Sequence, residues 1–197
     1  MASNDVQLVI FDIGGVLCIQ GFDVAAAAAV LGAEPAALEA GYWAGRDRYD
    51  RGCSSTAYWA GVAAASGAPR PEPGAVAQLV ELDCQRWRSV AGEVSAMLDS
   101  LARRGCRLGL LSNAPKPLAE TVRAASWSAG FEHRVFSSDL GLMKPDPRCY
   151  QVVLARFGVP AASAAFFDDR PENVAAAAQL GIQAQLFPGA GGVQRIF

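Results

Sequence analysis

The sequence predicts an α/β fold with a mostly parallel sheet covered by helices on both faces. Three observations carry that expectation. Strand-like apolar runs occur at 6–11, which reads as a buried strand, and at 106–111, 135–136, 164–167 and 182–187. Helix-like stretches stand between most of them, and alternation of this kind builds parallel sheets. Three of those stretches stop at a glycine, the residue that most readily ends a helix in the left-handed conformation.

The first strand, Val-Gln-Leu-Val-Ile-Phe, is β-branched and aromatic and stops abruptly at Asp12-Ile13-Gly14-Gly15. The helices expected behind it are 93–104 before Gly105, 116–125, 148–157 before Gly158, and 171–180 before Gly181, the last opening on Pro171. Residues 19–90 interrupt the alternation, because they are helix-rich and carry no convincing strand. Within them 24–31 is Ala-dominated, 34–43 has helical spacing with Pro35 in its first turn, and 54–65 and 74–87 continue the pattern, with a Pro-rich turn at 68–74. Tyr58, Trp59, Leu82 and Trp87 are expected in the core of this helical segment, Trp127 beside the sheet, His133 on the surface ahead of a strand, and 188–192 as a flexible loop.

With 197 residues, 52% hydrophobic and 18% charged, the chain can bury a full core as one α/β unit, which excludes a disordered protein. A formal charge of −2 supplies no electrostatic reason to expect nucleic acid or an anionic membrane as partner. The five cysteines are odd in number and contain no CxxC pair, which fits thiols in a reducing compartment better than a disulfide framework or a zinc site. Residues 1–5 lack the basic and apolar regions of a signal peptide, and no uncharged apolar run approaches the ~18 residues of a membrane span. A soluble cytoplasmic protein is expected. No GxGxxG follows a strand, so the glycines at 191–192 are no dinucleotide fingerprint.

Four segments carry the residue types that phosphoryl transfer needs: Asp12 after the first strand, Leu110-Leu111-Ser112-Asn113, Met143-Lys144-Pro145-Asp146, and Phe167-Asp168-Asp169-Arg170-Pro171-Glu172-Asn173. Each alone has an ordinary reading as a helix cap, a solvated turn or an acidic helix start. In parallel-sheet folds, however, the carboxyl ends of successive strands converge. Asp12, Asp168 and Asp169 crowded together would repel one another unless a divalent cation sat among them, and ligation by oxygen alone selects Mg²⁺.

Taken in chain order, these segments resemble motifs I to IV of the haloacid dehalogenase-like hydrolase superfamily. They resemble most the branch of small-molecule phosphatases, glucose-1-phosphate phosphatase-like proteins among them, whose first motif reads Asp-x-Gly-x-Val. Here that motif is Asp12-Ile13-Gly14-Gly15-Val16. The resemblance implies a Rossmann-like core at 1–18 and 91–197 and a small helical cap at 19–90. It implies Asp12 as nucleophile and metal ligand, Asp168 and Asp169 holding Mg²⁺ with Asn173 in support, and the Gly14 carbonyl as a further ligand. Ser112, with backbone amides at Asn113 and Ala114, would bind the phosphoryl group, and Lys144 would offset its charge.

The partner implied is a small phosphorylated metabolite; oligomeric state is not implied. The family's usual pattern has a second Asp, the general acid and base, where this chain has Gly14. Three outcomes follow: a working phosphatase with a better leaving group or an acid from Asp47 or Asp50, a metal-independent dehalogenase, or a phosphometabolite-binding protein without turnover. Trp43, Arg46, Asp47, Tyr49, Asp50 and Arg51 suit either a pocket wall facing Asp12 or a solvated helix face. Arg170 lies outside the motif.

Overall fold

The structure, a computed structural model, describes residues 6–196. The reading of residues 1–5 lies outside them. Five parallel strands, β1 (Leu8–Phe11), β2 (Arg107–Ser112), β3 (His133–Phe136), β4 (Ala164–Asp168) and β5 (Gln183–Leu186), form one sheet in the order β3-β2-β1-β4-β5. Alternating side chains of β1 explain why both faces are covered. Val9 and Phe11 join one apolar cluster and Leu8 and Ile10 the other, all four fully buried. The strand order reverses beside β1, and crevices at such switch points hold ligands in α/β sheets.

Between β1 and β2 the chain forms α1 (Val24–Leu31), α2 (Pro35–Ala44), α3 (Arg46–Asp50), α4 (Ser55–Ala65), α5 (Pro73–Gln85) and α6 (Gly92–Arg103). Asp23 caps α1 and Ser54 caps α4 through side-chain oxygens, whereas α2 and α5 begin on Pro35 and Pro73, whose missing N–H would be unpaired there in any case. Helices α1 to α5 share their own apolar cluster around Tyr42, Tyr49, Tyr58 and Trp59, and Leu82 packs at its edge half-buried. Trp87 departs from expectation. It belongs to the cluster of Phe11, Ile13 and Leu17 under the sheet, because the chain leaves α5 toward α6 and carries the indole with it.

The second half continues with α7 (Lys116–Ala124), α8 (Ser137–Leu140), α9 (Pro147–Phe157), α10 (Pro171–Gln179) and α11 (Ala190–Ile196). The tail expected to be a flexible loop is thus largely helical. Ala190, Gly192 and Val193 are buried where α11 packs on α6, and a Cβ on Gly192 would fall 2.6 Å from Pro188, so small residues here serve close packing rather than freedom. Trp127 packs against the cluster beside the sheet, as expected, and donates Nε1–H to the Trp87 carbonyl at 3.1 Å. His133 opens β3, half-buried edge-on against Phe157. Among the described residues no single helix is long and apolar enough to cross a membrane.

Candidate active site

The carboxyl ends of β1, β2 and β4 bring the candidate residues to one place. Asp12 directly follows β1, and its N–H continues the ladder by donating to the Phe167 carbonyl at 2.9 Å. Ser112 ends β2 and Asp168 ends β4, both buried. A cavity of about 500 Å³ opens over them, floored by Asp12, Gly14, Ser112, Asn113, Lys144, Asp169 and Asn173. Asp168 lies just beneath, with no exposed surface.

Lys144 is the electrostatic centre of this floor. Its buried Nζ stands 2.9 Å from Asp12 Oδ1 and 2.5 Å from Asp168 Oδ2. Burial works against its charge, but Asp12 and Asp168 outweigh that penalty and hold its pKa above the ordinary lysine value. Asn113 fixes where Lys144 stands: its Oδ1 accepts from the Lys144 N–H at 2.8 Å, and its Nδ2 donates to the Lys144 carbonyl at 2.9 Å. On the other side of the site, Asp168 Oδ1 accepts from Asn173 Nδ2 and from the Arg170 N–H, each at 2.9 Å.

Asp12, Asp168 and Asp169 each offer one oxygen within 4.8 Å of the others. Lys144 offsets one of these three charges, and a divalent cation matches what is left. The donors are hard oxygens throughout, so the set fits Mg²⁺. The approach of Asp169 depends on the chain beside it. Gly15 has φ +72°, and a Cβ there would lie 2.4 Å from Asp169 Oδ2, so only glycine satisfies both the left-handed backbone and the close carboxylate.

Burial raises the Asp12 pKa from 3.8 to about 6, with Lys144 opposing and Asp168 reinforcing the shift. Asp169 is likewise raised, by burial and then by Asp168. Between pH 3.8 and about 6 the folded chain keeps a proton on Asp12 that the unfolded chain has lost, so this group's contribution to stability falls as pH rises through that window. In chelator, therefore, Asp12→Asn should gain stability relative to the wild type as pH goes from roughly 4 to 7. Urea denaturation of both chains across that range checks it; a difference that does not change with pH would contradict the raised value.

The helical segment supplies the roof. Trp43, Arg46, Asp47, Asp50 and Arg86 face the same cavity. Arg46 donates Nε–H to Asp50 at 2.8 Å and lies 3.4 Å from Asp83, whose other oxygen accepts from Tyr42 at 2.8 Å and from Arg86 at 3.1 Å. Tyr49 and Arg51 stand elsewhere: Tyr49 is buried and stacked on Tyr58 at 4.0 Å, and Arg51 lines an adjoining depression together with Lys144 and Arg170. Alternation of apolar and charged residues over 42–51 did not separate the roof from the helix interior, since both kinds face inward here.

Three features were not read from the sequence. Trp87 stands over Gly14, where a Cβ would meet its ring at 3.9 Å, an ordinary contact. Arg86 and Trp87 share the cavity wall, though nothing in their local pattern marks them. The Ala114 amide, expected to meet a phosphate, instead donates to Ser137 Oγ at 2.9 Å.

Known proteins resemble the chain in sequence and in fold. Phosphatase MT3486 of Mycobacterium tuberculosis (strain CDC 1551 / Oshkosh) is 32% identical over 113 residues, covering 55% of this chain and 51% of that protein; the chain thus matches about half of its length. A crystal structure of an L-2-haloacid dehalogenase superposes with a TM-score of 0.69 at 25% identity, over 91% of this chain and 85% of that one. A HAD family enzyme of Bacteroides thetaiotaomicron, solved with magnesium and inorganic phosphate, shares the fold with a TM-score of 0.69 at 19% identity, over 94% and 96% of the two chains. Residues 6–181 match the haloacid dehalogenase-like hydrolase family, and with the acidic site at the ends of β1 and β4 the chain belongs to that family of hydrolases.

Proposed function

We propose that the protein hydrolyses a small phosphate monoester with Mg²⁺, through an aspartyl-phosphate formed on Asp12. The observation that carries this reading is the triad of carboxylate oxygens within 4.8 Å, with Lys144 braced against two of them. A metal-independent dehalogenase has no use for Asp169 beside Asp168. The similarity to a phosphatase and the fold shared with a magnesium- and phosphate-bound enzyme support the same choice.

On this reading Asp12, Asp168, Asp169 and the Gly14 carbonyl hold the cation, and Asn173 orients Asp168. The cation would neutralise phosphoryl oxygens and keep the carboxylates ionised at neutral pH. Ser112 donates its hydroxyl to a phosphoryl oxygen, and Lys144 offsets the charge shared by Asp12 and the phosphate. Asp12 attacks phosphorus and the ester P–O bond breaks, the leaving oxygen departing as an oxyanion that takes its proton from solvent water. Water then attacks the same phosphorus, the Asp12–phosphate bond breaks, and inorganic phosphate leaves carrying the water's oxygen, its proton passing to the phosphate or to solvent, with the Asp12 carboxylate restored. The partner is a small phosphorylated metabolite, and a sugar phosphate is the first candidate. The domains on this reading are a catalytic core at 1–18 and 91–197 and a cap at 19–90 that walls the cavity with Trp43 and Arg46. The five free cysteines accord with a cytoplasmic setting.

Gly14 carries no acid, so leaving groups that need no proton should react best. Phosphate release from p-nitrophenyl phosphate and from a panel of sugar phosphates, with Mg²⁺ and with chelator, tests the reading. Turnover is expected only with the metal. A Cβ on Gly14 would meet Trp87 only at an ordinary 3.9 Å, and Gly14→Asp should raise turnover of an alkyl phosphate by ~10²-fold while leaving the aryl ester little changed. Absence of turnover on every ester in the presence of Mg²⁺ would reject hydrolysis and favour a binding protein.

A further inference from the structure

Ser137 joins the floor of the cavity to its roof. It opens α8 at the end of β3 and is 2% exposed. Its Oγ accepts from the Ala114 N–H at 2.9 Å and donates to the Asp50 carbonyl at 2.5 Å. Ala114 lies two residues beyond Ser112, on the loop that would receive the phosphoryl group. Asp50 ends α3, and its side chain faces the cavity while holding Arg46 at 2.8 Å. A hydroxyl has one proton to give and lone pairs to receive, so a single side chain completes both bonds where two backbones each present one unpaired group. The turn after α3 sits close on α8: Gly52, at φ +104°, would place a Cβ 3.4 Å from the Ser138 carbonyl. The neighbouring Ser138 hydroxyl is buried without a hydrogen-bond partner among the described residues, so the tie runs through Ser137 and not through the pair.

We propose that Ser137 is a positioning residue that sets the height and orientation of Asp50 and Arg46 over Ser112 and Asp12, and thereby governs how leaving groups that reach the roof are held. This rests on the hydrolytic reading above for its kinetic consequence alone. The phosphoryl end of the substrate meets Asp12, Ser112 and Lys144, which keep their own supports from β1, β2 and Asn113. The other end meets α3, whose register over the floor is held at Asp50. Losing the tie therefore affects substrates according to their size.

The test compares Ser137→Ala with Ser137→Thr, which keeps the hydroxyl, in two measurements. The first is amide hydrogen exchange of the whole chain. In Ser137→Ala the amides of Ala114 and of residues 51–53 are expected to exchange faster than in the wild type, with the other helices unchanged and Ser137→Thr close to the wild type. The second is kcat/KM for acetyl phosphate, whose leaving group is too small to reach the roof, and for the sugar phosphate turned over best. Ser137→Ala is expected to lose roughly 10- to 100-fold on the sugar phosphate and little on acetyl phosphate. Unchanged exchange at 51–53, or an equal loss on acetyl phosphate and on the sugar phosphate, would overturn the proposal. If the wild type turns over neither the acyl phosphate nor any sugar phosphate, the hydrolytic reading fails, while the exchange comparison still decides whether Ser137 positions the roof.

Discussion

Asp12→Asn should abolish turnover while leaving the chain folded. The amide fits the space of the carboxylate, but it is a poor nucleophile and a poor cation ligand, and it no longer carries the charge that Lys144 Nζ meets at 2.9 Å. Loss of a catalytic nucleophile is among the costliest changes an enzyme suffers, and a fall of ~10⁴-fold or more is expected in kcat. Rapid acid quench and intact mass measurement supply the second half of the check. The wild type with substrate and Mg²⁺ should carry a covalent phosphate that the variant lacks. Residual turnover within roughly tenfold of the wild type would move the chemistry to another group.

Lys144→Met should produce the largest loss of stability. Methionine preserves length and apolar contact but leaves Asp12 and Asp168 buried in one place without their cation. Removing one partner of a buried ion pair costs ~3–5 kcal/mol, because the charge left behind is uncompensated. Urea denaturation in chelator should show that loss, and added Mg²⁺ should return part of it by occupying the same carboxylates. Catalysis should fall by ~10²–10³-fold as well, even where the variant remains folded. A stability equal to the wild type in chelator would mean that Lys144 does not carry the charge balance of the floor.

Strands β1, β2 and β4 were legible because each is a buried apolar run, and an acidic or polar segment stands at the end of each, whereas β5, Gln-Ala-Gln-Leu, is largely exposed. Helix ends at Gly158 and the start at Pro171 were legible for similarly local reasons. What escaped was set by packing over long sequence separations. Trp87 follows a helix of one apolar cluster yet packs in another, which no helical periodicity encodes. Ser137 reads as an ordinary residue at a helix start, and its importance appears only when Ala114 and Asp50 arrive on either side of it. The glycines near the C-terminus suggested mobility, because composition does not reveal that α6 would lie against them.

Asn113 grips the backbone of Lys144 from both sides, through its carbonyl oxygen and its amide nitrogen. The loop after β2 and the loop before α9 are thereby locked into one body, and the ammonium group is in place before any ligand arrives. Water around a dissolved ion must reorient each time charge moves; in the hydrolysis proposed above, the ammonium and the dipoles around it would already face the developing negative charge, with little reorganisation. A single amide side chain, far less conspicuous than the carboxylates, thus gives this floor the character of a preset electric field.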